Sequence, residues 1–428
     1  MLFSLDVIRA RKGDCMILHY GSKDDPRLVL IDGGPKKVYA PHLKPRLEKI
    51  KEARGLENND PLPIDLLMVS HVDDDHIQGI LDLTRDLIQD NPQFAQVSGF
   101  WHNSFENIIG NTPKELTAAF SKQFGAASMA GDPPDLTIDV EGEEEVVVVS
   151  SLKVLASIEQ GAQLRSDVVN GLQSNLNEDF EGGLIVANEA AEPIDMGDGL
   201  KFTIVGPLLP ELKKLHEKHQ EWLNNLAEKG QSAEDVLSAY VDKSVPNLSS
   251  IVVLAEAEGK RMLLTGDARG DKILEALELL GLKEDGGTMH VDLLKVPHHG
   301  SANNLDNDFF QEITADHYVF SGDGEHGNPE REAFEMLLNA RGDADYTIHI
   351  TYPVEDIDIG RKEDWEKEQN KQKKRQKKNP ATKVREDWSP EKHSLQALFD
   401  ENKDFGKKVR IVGDDEPHLI NLLDEAGF

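Results

Sequence analysis

The sequence predicts a mixed α/β fold carrying a large helical insertion and a C-terminal extension. Two observations carry this. Short apolar runs end in polar, ligand-type residues and give way to helical spacing, and strand-like runs are joined into hairpins by Gly and Asp. The first kind is clearest at DLLMVSHVDDDH, Asp65 to His76, where Leu66, Leu67, Met68 and Val69 read as a buried strand. From His76 on, Ile77, Ile80, Leu81, Leu87 and Ile88 follow helical spacing. At 428 residues the chain can bury a large core, and about 150 residues per domain suggests two or three folding units.

Taken in order, LFSLDVIRA, CMILHYG and RLVLIDGG read as three strands, with Gly13-Asp14 and Asp24-Asp25-Pro26 at the turns. Asp32-Gly33-Gly34 is either an ordinary turn or a set of residues that lets the backbone approach something closely. A helix is expected from His42 to about Ala53, then the Asp65 to His76 strand and turn, then a strand QVSGFWHNS ending at His102. Helical patterns around Pro113 to Phe124, Ser151 to Asn177 and Pro210 to Glu228 break the alternation and read as a cap over a site. Strands return at GLIVAN and LKFTIVGP, and at the hairpin SSIVVLAEA and RMLLTGDA, which delivers Asp267. A helix from Lys272 to Leu280 and the strand HVDLLKV lead into Pro297-His298-His299-Gly300-Ser301; a helix from Glu330 to Leu338 and the strand YTIHITYP follow. These features place the core in residues 1–103 and 184–350, the insertion in 104–183, and a basic segment with a C-terminal element in 351–428.

Composition narrows the function. The 79 acidic and 47 basic residues give a net charge of −32, which repels nucleic acid over most of the surface. The local exception is Arg361 to Arg385, with 11 Lys/Arg against 4 Asp/Glu, in which Lys371 to Lys378 holds six basic residues and no acid. Such a run is usually a solvated, disordered segment; its alternative is contact with a polyanion, flanked by Trp365 and Trp388 as stacking groups. The single cysteine, Cys15, excludes an internal disulfide and reads as a small buried hydrophobe. With no secretory signal and no apolar run of about 20 residues, the chain reads as soluble and cytoplasmic.

His71, Asp73, Asp75 and His76 fall within six positions at a strand end, a pattern suited to metal ligation rather than to a core. Asp74, equally available, reads as a bystander or helix cap. The ligand inventory balances for two ions. One takes His71, Asp73 and His102, the other takes Asp75, His76 and one of His298 or His299, and Asp267 bridges. Three ligands each, a shared carboxylate and an open position for water are what a catalytic site requires.

HVDDDH, His102, TGDA and PHHGS, in this order after an N-terminal DGG, resemble the metallo-β-lactamase superfamily, and more narrowly its branch related to the hydrolase domain of ComEC-type DNA-uptake proteins. The resemblance implies an αββα sandwich, two divalent ions (zinc first, with Mn²⁺ or Mg²⁺ as competitors because Asp73 replaces an imidazole) and a hydrolase using metal-bound hydroxide. Within this branch a phosphodiester or nucleic acid is the expected substrate, contacted through Lys371–Lys378; a thioester, lactone or sulfate ester, or a partner-regulated effector module, are the alternatives. The catalytic candidates are Asp75, His299 and Ser301, with Lys295 a weaker one. Where the branch often shows G-H-P this chain has Gly327-Asn328-Pro329, and His326 is the nearest substitute.

Overall fold

A computed structural model describes residues 1–57, 59–103, 159–213, 249–306, 308–413 and 416–428. The fold is mixed α/β, built on two mixed sheets. The first sheet takes its strands mainly from the N-terminal region: β1 (Leu2–Val7), β2 (Met16–Gly21), β3 (Pro26–Ile31), β4 (Leu62–Val69) and β5 (Ala95–His102). Helix α1 (Lys44–Ala53) connects β3 to β4, and α2 (Asp74–Arg85) connects β4 to β5. The second sheet holds β6 (Ile194–Gly197), β7 (Leu200–Gly206), β8 (Val252–Ala257), β9 (Lys260–Leu264), β10 (Met289–Lys295), β11 (Ile313–Phe320) and β12 (Thr347–Ile350). Its helices are α3 (Gly270–Leu279), α4 (Arg331–Arg341), α5 (Val354–Lys378) and α6 (Leu395–Glu401).

Both faces of the central strands are buried, which is why they read as nearly continuous apolar runs. One parity joins the sheets: Phe3, Leu5, Met16, Leu18, Val29, Met68, Val253, Met262, Leu293 and Val319 belong to one apolar cluster. The other parity meets helices. Ile17, Leu30, Leu67 and Val69 pack with Leu47 and Ile50 of α1 and Ile77 and Ile80 of α2. Leu254, Leu263, Leu294 and Phe320 pack with Ile273 and Leu277 of α3, Phe334 and Leu337 of α4, and Leu398 of α6. Each such side chain contributes about 1.5–3 kcal/mol on burial, whereas a good helix cap adds about 1 kcal/mol. Packing therefore decides these helices: α1 to α5 start without a side-chain cap, and only the shorter α6 has one, from Ser394 to the Ala397 amide.

Several expectations need correction. GLIVAN forms no strand, only an isolated bridge from Ala187 to Leu208. The basic run is solvated as expected but ordered: residues 371–377 are exposed or half-buried and lie at the end of α5. Acids at its start, Glu355 and Asp356, and cations at its end match the helix dipole, and Lys362–Glu366 (3.9 Å) and Lys371–Glu368 (3.4 Å) add pairs along it. The tail expected as an appended element is woven into the core: β13 (Val409–Arg410) runs parallel to β12, and β14 (Leu419–Asn421) runs antiparallel to β1. Of the expected insertion, residues 104–158 lie outside the described residues, as do 214–228 of the pattern expected from Pro210 to Glu228; residues 159–166 are helical. No helix among the described residues is long and apolar enough to cross a membrane.

Candidate metal centre

The carboxyl ends of parallel strands converge where the two sheets meet, the usual place for a site in an α/β sheet. His71 follows β4, His102 closes β5, Asp267 follows β9, and His298 and His299 follow β10. The approach is tight. A Cβ on Gly266 would lie 3.0 Å from the Ser70 Cβ, and the Ile251 amide donates to the Ser70 carbonyl at 2.8 Å. Helix α2, which carries Asp75 and His76, docks on the Asp32-Gly33-Gly34 turn; a Cβ on Gly79 would lie 1.9 Å from the Gly33 carbonyl oxygen. The close backbone approach expected at this turn is its actual role.

Asp267 is the centre. Its Oδ2 lies 3.6 Å from His71 Nε2 and 3.5 Å from His298 Nε2; its Oδ1 lies 3.3 Å from His76 Nε2 and 3.4 Å from His299 Nε2. Each ring is held from behind through Nδ1: His71 by Ser70 Oγ (3.1 Å), His76 by Asp32 Oδ2 (2.9 Å), His298 by Asn304 Oδ1 (2.8 Å) and His299 by Ser321 Oγ (2.9 Å). The inward atoms, Nε2 of His71, His76 and His299 and Oδ1 of Asp267, are buried without hydrogen bonds; His102, buried at the end of β5, lies against Gly161. Buried polar atoms rarely go unsatisfied in this way. A cation between them would satisfy them together, and a hydrogen bond at Nδ1 is the usual way a metal-binding histidine is oriented.

The compact buried ligand group, all within 4.8 Å, is Asp14, His76, Asp267 and His299. Asp14 was absent from the sequence-based ligand set. Its Oδ1 accepts from Ser321 and faces His299 Nδ1 at 3.2 Å, and its Oδ2 pairs with Lys295 Nζ at 2.7 Å. Strand parity was the available signal: Asp14 shares the parity of Met16 and Leu18, and Lys295 that of Leu293, which face the layer between the sheets. A carboxylate and an ammonium aimed into that layer call for each other.

Both His298 and His299 reach Asp267, so the sequence's choice of one is replaced by a division: His298 sits with His71 on one carboxylate oxygen, His299 with His76 on the other. Their backbones are left-handed, with φ of 47° and 53°, a conformation costing about 1–3 kcal/mol per residue and concentrated at functional sites. Asp73 Oδ2 lies 3.7 Å from His71 Nε2 at the N-terminus of α2. Asp74, the expected bystander, accepts from Gln160 Nε2 at 3.1 Å. Asp75 feels the charges of His76, Asp267, His299 and Lys12. Ser301, expected beside the reacting atoms, donates to Glu330 Oε1 at 3.4 Å, and Lys295 pairs with Asp14. His326 lies at the rim, 3.2 Å from Lys12 Nζ.

The centre combines shifted imidazoles and carboxyls: against the effect of burial, Asp267 and Asp32 push the His76 ring well above the usual imidazole range. Burial holds His71 down at about 3 and His102 at about 4, so both rings are neutral at neutral pH. Burial alone would raise the Asp267 pKa, but His298, His299, His76 and His71 outweigh it and keep the carboxyl ionised. Asp14 is likewise held far below the carboxylate range, by Lys295 and then His299 against the effect of burial.

No family model matches the chain. A stretch of 146 residues is 28% identical to microtubule-associated protein 1A of Rattus norvegicus, and 145 residues are 26% identical to its Homo sapiens counterpart. Each match covers 33% of this chain and 5% of the relative. The chain therefore spans only a small part of the length of the curated relatives it matches.

Proposed function

We propose that the chain is a dinuclear metallohydrolase of the metallo-β-lactamase superfamily, with the two sheets and their outer helices forming its αββα sandwich. The observation that carries the reading is the convergence of four histidine Nε2 atoms on the two oxygens of Asp267. One ion would be held by His71, His298 and Oδ2 of Asp267, with Asp73 and His102 as further ligands. The other would be held by His76, His299 and Oδ1 of Asp267, with Asp75 beside them. Imidazole with carboxylate suits zinc, and the carboxylate share keeps Mn²⁺ and Mg²⁺ in competition. Such ions supply Lewis acidity and a water of lowered pKa.

The protein's own groups do the rest. Asp32 and Ser70 orient His76, and Asp14, Ser321 and Lys295 orient His299. Burial of these side chains keeps solvent from competing at the centre. Lys12, whose charge acts on Asp75, would meet an anionic substrate there in exchange for its contact with Glu325 (3.7 Å). A phosphodiester is favoured by the resemblance and by this cation. The test is turnover of single-stranded DNA, RNA and bis-p-nitrophenyl phosphate by the purified chain with Zn²⁺ or Mn²⁺. Hydrolysis abolished by Asp75→Ala supports the reading; no turnover of any of them, with parent and variant alike, overturns it.

A further inference from the structure

Helix α5 runs for 25 residues, about 37 Å at 1.5 Å per residue, and its first half is anchored on the Gly324–Asn328 loop. Ile357 is buried, and the buried Arg361 donates from Nη1 to the His393 carbonyl (2.8 Å) and from Nε to the Gly327 carbonyl (3.3 Å). Gly360 and Gly324 meet backbone to backbone; a Cβ on Gly324 would lie 2.1 Å from the Ile357 carbonyl oxygen. The helix is thus rooted on the Gly324–Asn328 loop. That loop touches the rim of the metal centre: Glu325 pairs with Arg11 at 2.9 Å, and His326 faces Lys12.

Farther out, residues 379–389 fold back along one side of the helix. Trp365 Nε1 donates to the Glu386 carbonyl, Gln369 Nε2 to the Arg385 carbonyl and to Asp387 Oδ1, and Gln376 Nε2 to the Thr382 carbonyl, while Gln372 Oε1 accepts from the Arg385 amide. Trp365, Gln369, Gln372 and Gln376 form one stripe. Lys367, Lys371 and Lys374, all exposed, form another, roughly 160° away around the axis at 3.6 residues per turn. From Gln369 to Arg385 there is no acid, and from Gln369 to Lys378 no apolar residue. The tryptophans expected as stacking platforms are already engaged: Trp365 packs on Trp388 (5.8 Å) and His393 (4.3 Å) and under Arg385 (4.5 Å).

We propose that the outer half of α5 is a docking arm for the phosphodiester backbone of a nucleic acid, which Lys367, Lys371 and Lys374 grip on the exposed side of the helix. Three lysines with steps of about 6 and 4.5 Å along the axis match a polymer of evenly spaced charges. In a chain of net charge −32, the arm is where a polyanion meets attraction. The lack of apolar side chains disfavours a lipid surface, which needs an inserted apolar face, and the occupied tryptophans make the contact one of backbone rather than of bases. The inference rests on the phosphodiester reading of the site.

The test is fluorescence anisotropy of a labelled phosphorothioate DNA strand, which resists turnover, titrated with the full chain across a range of salt. The comparison is Lys367→Gln/Lys371→Gln/Lys374→Gln, with circular dichroism to check that α5 survives, since Gln is a good helix former. Each lost phosphate contact lowers the salt slope of log affinity by roughly 0.7 on a single strand, so the triple variant should lose about 2. An unchanged slope overturns the arm, as does tighter binding to vesicles of anionic lipid than to the strand. Turnover of bis-p-nitrophenyl phosphate by the unaltered chain, which needs no arm, reports separately on the hydrolase reading.

Discussion

Asp14 and Lys295 form an ion pair of 2.7 Å with both side chains fully shielded from solvent, and the other oxygen of Asp14 faces His299 Nδ1. Removing one partner of such a pair strands a buried charge and costs about 3–5 kcal/mol, whereas exchanging both for apolar groups of similar volume is often neutral. Lys295→Met should therefore lower the midpoint of denaturant unfolding sharply, and Asp14→Leu/Lys295→Met should recover most of the loss. The recovered protein should still bind metal about 10–100-fold more weakly, because His299 has lost its orienting carboxylate. Equal metal affinity in the double variant would reduce Asp14 to a structural role.

Gly79 offers a second test. Glycine within a helix costs about 1 kcal/mol relative to alanine, so Gly79→Ala would ordinarily stabilise α2. Here the added Cβ would lie 1.9 Å from the Gly33 carbonyl oxygen, a backbone atom that cannot swing aside. The variant should lose at least about 1–3 kcal/mol and shift Asp75 and His76, read as a lower melting temperature together with a lower metal content. A stabilised variant would show that α2 does not bear on the Gly33-Gly34 turn.

What could be read from sequence follows from where the signal lies. His71, His102, Asp267 and His298 close or follow apolar strands, where a titratable residue interrupts a strong periodic pattern, so they could be singled out from sequence; of these, His71 and His298, with His76 from α2, lie within 3.6 Å of Asp267. Asp14 looked like turn punctuation beside Gly13, because its role depends on Lys295, 281 positions later and in the other sheet. The division of His298 and His299 between two carboxylate oxygens depends on left-handed backbone at both residues, which spacing does not encode. The helix from Val354 to Lys378 was hidden because a charge run carries no apolar period; its order comes from dipole-matched charges and from the returning segment sewn on by Gln369 and Gln372. The pairing of β13 and β14 with opposite sheets is non-local and left no trace in the tail's composition.

The shared carboxylate makes a stoichiometric prediction. If Asp267 serves both ions, Asp267→Ala should empty the centre, while His71→Ala should remove one ion and leave His76, His299 and Asp267 to hold the other. Elemental analysis of dialysed protein should fall from about two ions per chain to near none and near one, respectively. Melting temperatures should change little on chelation if the metals are catalytic; collapse of the fold on chelation would instead mark a structural site.

A chain of three imidazoles sets a pH dependence away from the candidate metal centre. His317 Nδ1 lies 3.0 Å from His349 Nε2, and His349 Nδ1 lies 2.9 Å from His418 Nε2, joining β11, β12 and the segment leading into β14. Burial, then the neighbouring His418, His317 and Arg410, hold His349 at about 2; burial and Arg410 hold His418 at about 4. In the unfolded chain both return to about 6.5. Between these values the unfolded state binds protons that the folded state refuses, so stability rises with pH there. The contribution is complete above about pH 6.5 and is lost progressively as the pH falls toward 4. Melting temperature should thus fall through this window, and His349→Gln, which keeps a donor and an acceptor for its neighbours, should fall less steeply than the parent. His71 and His102 titrate in the same direction and are common to both proteins, so the difference between the two slopes isolates the chain. Identical slopes would mean that His349 takes up its proton without unfolding, and that the link between β12 and the C-terminal strand survives as an imidazolium.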